Sequence, residues 1–312
     1  MAVPAVVGDE AGLPIGSVRA SGDATRRLLR AIVRNRKATI GLGLLLVITF
    51  VAAFPGLIAP GDPHGAVYAQ QQAPSGAHLL GTTQVGEDVF TQLIWGTRVT
   101  LIITVVVGLL ATIIAVAIGV TAAYLGGAAD RALSLLTDVF LIIPSLPLLI
   151  VLSSYLQGSG TLAIIAALTF TGWAFGARQL RAQGLAMRTL DFLEAARARG
   201  ERPTYIIAIE ILPNMLSLIV ASFLGSAVYT VAAAAGLQFL GLGNSGDITW
   251  GTMLHFAQQN AAIESGNIWW ALAPGGAVAL LGTSFALLNY AFDEITNPAL
   301  RPVRRRRVRP AA

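Results

Sequence analysis

Six stretches of apolar residues, each about twenty long and nearly free of ionisable side chains, limit what this chain can fold into, because that is the length a helix needs to cross roughly 30 Å of hydrocarbon. They run at about 39–59, 99–125, 133–152, 162–177, 215–237 and 269–292. A water-soluble domain would scatter its apolar residues at helix or strand period and carry about 25% charged residues. Here 55% of the residues are apolar and 12% are charged. The expected fold class is therefore all-α, a polytopic membrane protein with six transmembrane helices over 39–300, a tail at 1–38 and a basic tail at 301–312.

The basic residues give these spans a direction. Of 21 Lys and Arg, seven precede the first stretch (Arg19, Arg26, Arg27, Arg30, Arg34, Arg36, Lys37), Arg131 lies in the second-to-third connection, six lie between the fourth and fifth, and six follow the last. Only Arg98 falls elsewhere, at the mouth of the second stretch. Cytoplasmic loops retain Lys and Arg, so this alternation expects both termini inside the cytoplasmic membrane and an even number of spans. The net charge of +5 is divided among alternate loops, which favours membrane lipid over nucleic acid as the basic residues' partner, the run Arg304–Arg307 acting as a headgroup anchor. Trp95, Trp269 and Trp270 fall at outer ends, where indoles anchor helices. A small-residue stretch at Val51–Ala53 resembles a signal-peptide cleavage site, but the apolar run continues to Ala59 and the charged segment before it reaches Lys37, so the first helix is expected to stay. The leading residues read as a disordered tail.

Several chemistries are excluded. The chain has no cysteine, hence no disulfide or thiolate site. Its only lysine, Lys37, follows Arg36, so no phosphate-cradling G-x-x-x-x-G-K-[ST] loop exists. No catalytic constellation is visible, and the chain is expected to be neither an enzyme nor a binder of its own cofactor or metal; His64, His78 and His255 read as solvated loop residues on the outer side. An ion-coupled carrier usually keeps ionisable groups near the bilayer midplane. None lies there, Asp138 being the nearest, which disfavours a secondary carrier. A membrane scaffold is the third class.

The connection at 190–213, LDFLEAARARGERPTYIIAIEILP, is unusually apolar for a loop in water. Leu193 to Ala198 should form a short helix that stops and turns at Gly200. A second should start after Pro203 and break at Pro213. Such a loop is either a docking face for a partner or an amphipathic segment lying on the bilayer; composition leaves both open. Pro144 and Pro147 in the third stretch suggest a hinge or a fixed kink. The small residues at 232–236 suit close helix packing.

The spacing of Glu194, Ala195, Ala196, Gly200, Leu212 and Pro213 resembles the EAA loop, EAA-x3-G-x9-I-x-L-P, of permease subunits of ATP-binding-cassette importers. Glu210 stands where that pattern has Ile. The resemblance covers about 78–301 and is nearest to the C-type permeases of dipeptide and oligopeptide systems, through HLLGTTQVGEDVFTQLIWGTRVTL (78–101), YLGGAADRALSLLTDVFLIIPSLP (124–147), FLGLG (239–243) and NPALR (297–301). Where those proteins have GTDxxGRD, this chain has Thr83 and Glu87, and Ala234 and Gln238 replace the usual Glu and Ser around LSFLGLG.

The resemblance implies a type I importer fold. It implies a heterodimer with a B-type permease, two ATPase subunits that bind ATP and Mg below the membrane, and an extracytoplasmic binding protein. The EAA loop would couple ATP hydrolysis on those partners to transport, with Glu194 meeting a basic group of an ATPase and Gly200 allowing the turn. Ala234 and Gln238 would lie on the translocation path. The implied solute is a di- or oligopeptide, with glutathione, a nickel chelate or another small solute as alternatives.

Overall fold

The computed structural model describes residues 35–155, 160–244 and 246–296. Most of the N-terminal tail, the C-terminal basic run and NPALR lie outside them. The described chain is helical, and its only strand-like pairing is an isolated bridge between Thr82 and Asp88. Five helical stretches are long and apolar enough to cross a membrane, and a bent pair makes a sixth.

Helix α1 (Arg36–Ala53) begins on an Asn35 cap whose side chain accepts from the Lys37 and Ala38 amides. Asn35 Nδ2 also donates to Glu294 Oε2 (2.9 Å) and Lys37 pairs with Glu294, which ties the start of the first span to the end of the last. Its other end stops at Phe54, before a short turn α2 (Pro55–Ile58), because proline cannot continue the amide ladder. There Arg98 donates to the Ala52 and Ala53 carbonyls, both at 2.9 Å, supplying cationic donors to a helix C-terminus. Arg98 thus fastens two helices together.

Helix α3 (Val89–Leu125) starts ten residues earlier than the apolar run indicated, because Asp88 caps it by accepting from the Phe90 amide (2.9 Å) and the helix extends past the hydrocarbon. It is the central helix. Small residues let α7 (Ala174–Met187) press directly on its backbone: a Cβ on Gly119 would lie 2.4 Å from the Ala177 carbonyl oxygen, and one on Gly184 2.7 Å from Ala123 Cβ. In lipid, where apolar contact gives helices no preference for one another, such close approach is what holds them together.

The third apolar stretch is two helices, α4 (Gly127–Ile142) and α5 (Ser145–Tyr155), bent by 89°. Pro144 stands at the break, and Pro147 lies in the first turn of α5, where its missing N–H costs little. The fourth runs as α6 (Gly160–Gly172) and α7, with Trp173 between them. On the basic side, α4 is tied to α7 by a bidentate Arg181–Asp130 pair (2.6 and 2.8 Å) and by Arg178–Asp138 (2.6 Å).

After a loop comes α10 (Leu212–Phe239), then α11 (Trp250–Gln259) and α12 (Trp269–Thr296). Helix α11 has no counterpart in the apolar pattern, being too short to span. It is held by buried hydrogen bonds: Thr249 and Thr252 cap each other, Trp250 N donates to Thr100 Oγ1 (3.2 Å), and Trp250 Nε1 donates to Leu93 O (3.1 Å). Trp269 is 44% exposed, but its neighbour Trp270 is 4% exposed and packs in the core beside Met253 and Ala257. Consecutive residues on a helix point about 100° apart, so only one of the two indoles can sit on the rim.

Candidate functional site

The loop at 190–213 folds onto the membrane domain through its apolar residues. Helix α8 (Asp191–Ala198) buries Leu193 and Ala196 completely, and Ile206 and Ile211 beyond the turn are buried with them. All four join one core cluster with Val120 of α3, Leu180 and Met187 of α7, and Met215 of α10. Part of the apolar content therefore seats the loop, and the large side chains Leu190, Phe192, Tyr205 and Ile209 remain exposed.

Gly200 ends α8 with φ +75°. Its amide donates to Arg197 O (2.9 Å) and the Glu201 amide to Ala196 O (3.3 Å), the paired bonds that close a helix through a left-handed glycine. A Cβ at Gly200 would meet nothing within 4 Å, so glycine is required here for its backbone angle alone. The following segment differs from expectation. Helix α9 (Pro203–Tyr205) leads through a π-helical turn (Ile206–Ile211) directly into α10, and Pro213 does not break it. The wide turn, in which the Leu212 amide reaches back to Ile207 O, makes room for the proline ring that would otherwise strike the preceding turn.

The solvent face of the loop is charged. Asp191 and Glu194 are exposed in the first turn of α8, and among the described residues no ion pair engages Glu194. Ala195 is exposed beside it and Ala196 is buried. Arg197 lies over the Tyr124 ring (5.6 Å) and donates to Arg188 O, so it braces the loop against the end of α3. Arg199 Nη2 lies 3.8 Å from Glu210. That contact gives the acidic residue a local role at the place where the usual pattern has Ile.

Ala234 and Gln238 are 3% and 4% exposed. Gln238 Oε1 accepts from Thr249 Oγ1 (2.8 Å), and a Cβ on Gly251 would lie 2.4 Å from it, so this amide holds α11 against α10. Of the small residues at 232–236, Ala233, Ala234 and Ala235 are buried, with Ala235 Cα only 3.0 Å from that same Cβ position, whereas Ala232 and Gly236 lie at the surface. The histidines sit apart: His78 is buried against Tyr68 (ring centroids 4.4 Å) with Asp88 3.7 Å away, His255 Nδ1 meets Phe239 O (2.8 Å), and His64 is exposed. No metal-holding cluster occurs among the described residues.

The segment 78–88 forms a cap held by hydrogen bonds. Thr82 Oγ1 donates to Ala69 O (2.7 Å) and accepts from Gln72 N, while Asn267 Nδ2 donates to Thr82 O (2.6 Å). Thr83 and Glu87, the two departures from GTDxxGRD, bond to one another: Glu87 N donates to Thr83 Oγ1 and Thr83 N to Glu87 O (3.1 and 2.8 Å). Another feature that sequence reasoning passed over is a cavity of about 600 Å³ beside the Pro144 break, bordered also by α7, α10 and α12. The polar pair Asn289 and Asp293, spaced one turn apart on α12, was its available signal.

A bundle of helical spans, one of them sharply bent, around a small-residue contact, with a helix-turn-helix loop packed against it, is the fold of a type I importer permease. The chain belongs to the family described as the inner membrane component of binding-protein-dependent transport systems, matched over residues 115–296, and residues 24–80 match the N-terminal transmembrane domain of oligopeptide transport permease C. It is 30% identical over 285 residues to the dipeptide transport system permease protein DppC of Bacillus subtilis (strain 168), covering 91% of this chain and 88% of that one. Against the oligopeptide transport system permease protein OppC of Mycobacterium tuberculosis (H37Rv) it is 29% identical over 288 residues, 90% of this chain and 98% of the relative. Its fold matches a chain of the MetNI methionine ABC transporter in an inward-facing conformation, with TM-score 0.52, 23% identity, and 67% and 97% coverage of the two chains.

Proposed function

We propose that this chain is one of two membrane-spanning subunits of an importer that carries di- or oligopeptides across the cytoplasmic membrane, with separate ATPase subunits seated on the α8–α9 loop. The observation that carries this reading is the division of labour in the loop: Leu193, Ala196, Ile206 and Ile211 lock it to the bundle, while Glu194 and the surrounding charges face outward without an intramolecular ion pair at Glu194. A surface-lying amphipathic segment would turn its apolar face to lipid. This one turns it to the core. The names of the relatives support peptide as the solute.

In this reading both termini are cytoplasmic, the partner permease is B-type, and a binding protein delivers solute to the outer cap. ATP and Mg act on the ATPases, whose approach moves the loops together and rocks the attached helices. The 89° break at Pro144 is where α4 and α5 would adjust to that motion. The test is affinity purification from the native membrane in mild detergent, followed by mass spectrometry, for wild type and a Glu194→Arg, Gly200→Val variant. A second permease and ATPases should come down with wild type, and the ATPases should be lost from the variant. A wild-type chain that never brings down an ATPase would refute the importer reading.

A further inference from the structure

A second cavity, of about 220 Å³, lies where the cap meets α11 and α12, at the other end of α3 from the α8–α9 loop. Glu87 and Asp247 line it together with the exposed His64, and no lysine or arginine does. Neither carboxylate takes part in an ion pair among the described residues. Glu87 Oε2 accepts from Gln92 Nε2 (2.8 Å) and Thr83 Oγ1 (3.4 Å), and Asp247 Oδ2 accepts from Thr161 Oγ1 (2.6 Å), which leaves one oxygen of each carboxylate without a hydrogen bond. Where the related pattern GTDxxGRD has Asp and Arg, whose charges cancel, Thr83 and Glu87 leave a net negative charge at this wall. Trp270 lines the cavity as well, is 4% exposed, and keeps its Nε1, which can only donate, buried without a partner. A buried polar atom left unpaired is costly and therefore calls for an explanation.

A ligand with a positive charge close to a hydrogen-bond acceptor would meet the carboxylates and the indole together. The amino-terminal residue of a peptide has that pattern: its ammonium, with three N–H donors, sits on the carbon next to its carbonyl group. The volume lies below the roughly 300–1,000 Å³ of sites that enclose a whole small molecule, so it suits one end of a solute. We propose that this cavity receives the amino-terminal residue of the peptide solute, with Glu87 and Asp247 taking the ammonium, Trp270 Nε1 donating to the first carbonyl oxygen, and Met253 and Phe256 of the same wall packing against the first side chain. The assignment rests on the reading of this chain as a permease subunit for peptides, and adds to it the place where a free amino end is recognised.

The test uses the full chain purified in mild detergent with the subunits it retains. Because the chain contains no cysteine, Val85→Cys, at an exposed residue of the cavity wall, gives it a single thiol, whose reaction with neutral methyl methanethiosulfonate is followed on this chain by mass. At about pH 7, where an α-amino group is mostly protonated, about 10 mM leucinamide should slow that reaction about fivefold, as for a site with a Kd of about 2.5 mM. N-acetyl-leucinamide should not slow it, and Glu87→Gln combined with Asp247→Asn should abolish the protection. Trp270→Phe should raise the half-protecting concentration of leucinamide about fivefold, the effect of one lost hydrogen bond, and leave that of 3-methylbutylamine, which lacks the carbonyl, unchanged; an indole with a merely structural role would move both. No protection by leucinamide, equal protection by its acetylated form, protection that survives the loss of both carboxylates, or a Trp270→Phe protein that treats the two amines alike would overturn the subsite. ATP-driven uptake of leucylalanine in proteoliposomes judges the parent reading separately. Uptake without protection sinks the subsite alone, whereas protection without uptake sinks peptide import and retains a cavity for an ammonium end.

Discussion

The cap at 78–88 and the α8–α9 loop are both connectors between spans, yet they treat their acidic side chains differently. In the cap, Thr82, Thr83, Glu87, Asp88 and Asn267 are hydrogen-bonded within the chain, and only His78 Nδ1 and Asn267 Oδ1 among its described side-chain atoms are buried without a partner. In the loop the anchoring is apolar, through Leu193, Ala196, Ile206 and Ile211, and Asp191 and Glu194 point outward. Leaving side chains of an ordered helix uncommitted costs nothing while water solvates them, and it keeps them available for a partner. The cap turns most of its polar groups inward, and the loop leaves two acidic side chains at its surface.

The sharpest way to break this contrast is at two left-handed glycines. Gly86 in the cap has φ +87°, and a Cβ there would lie 2.2 Å from the Tyr68 carbonyl oxygen. Gly86→Val should therefore cost about 4 kcal/mol, backbone strain adding to overlap, and should lower the thermal midpoint of the detergent-solubilised chain or abolish its accumulation. Thr82→Val removes the bond to Ala69 O and the acceptor for Gln72 N, for about 2 kcal/mol, read in the same melt. Gly200→Ala meets only the backbone penalty, roughly 1 kcal/mol, because nothing lies within 4 Å of its Cβ. That chain should fold and insert. Glu194→Arg should shift stability by less than about 0.5 kcal/mol, as an exposed substitution does, while reducing ATPase recovery. A melt in which Glu194→Arg destabilises as much as Thr82→Val would show that the loop is bonded like the cap and would undo the comparison.

The apolar blocks made the spans legible because crossing hydrocarbon demands length and composition that nothing else does. The break at Pro144 was legible as a place and not as an angle: proline removes a bond, but the 89° is decided by what α4 and α5 pack against. Helix α11 was invisible because it is too short to span and is held by Thr249, Thr252 and Trp250, whose bonds reach to Thr100 and Leu93, over 140 residues away. The loop was read correctly at Gly200, where one backbone angle decides the turn. It was misread at Pro213, because a π turn can absorb a proline and leaves no mark in composition. Gln238 was singled out for its place beside FLGLG; that it holds α11 against α10 through Thr249 and Gly251 was not legible, because those contacts are made only in the folded chain. Asp293 was missed because the apolar run stops one residue before it, while the helix continues.

The π turn that absorbs Pro213 has one more effect. By keeping Pro203–Phe239 a single helical stretch of 37 residues, about 55 Å long at 1.5 Å per residue, it makes the loop and the C-terminal end of α10 two ends of the same strut. Phe239 at the far end meets His255 of α11, and Gln238 grips Thr249. A tilt of that strut by a few degrees about its middle would carry the loop one way and the α11 contact the other.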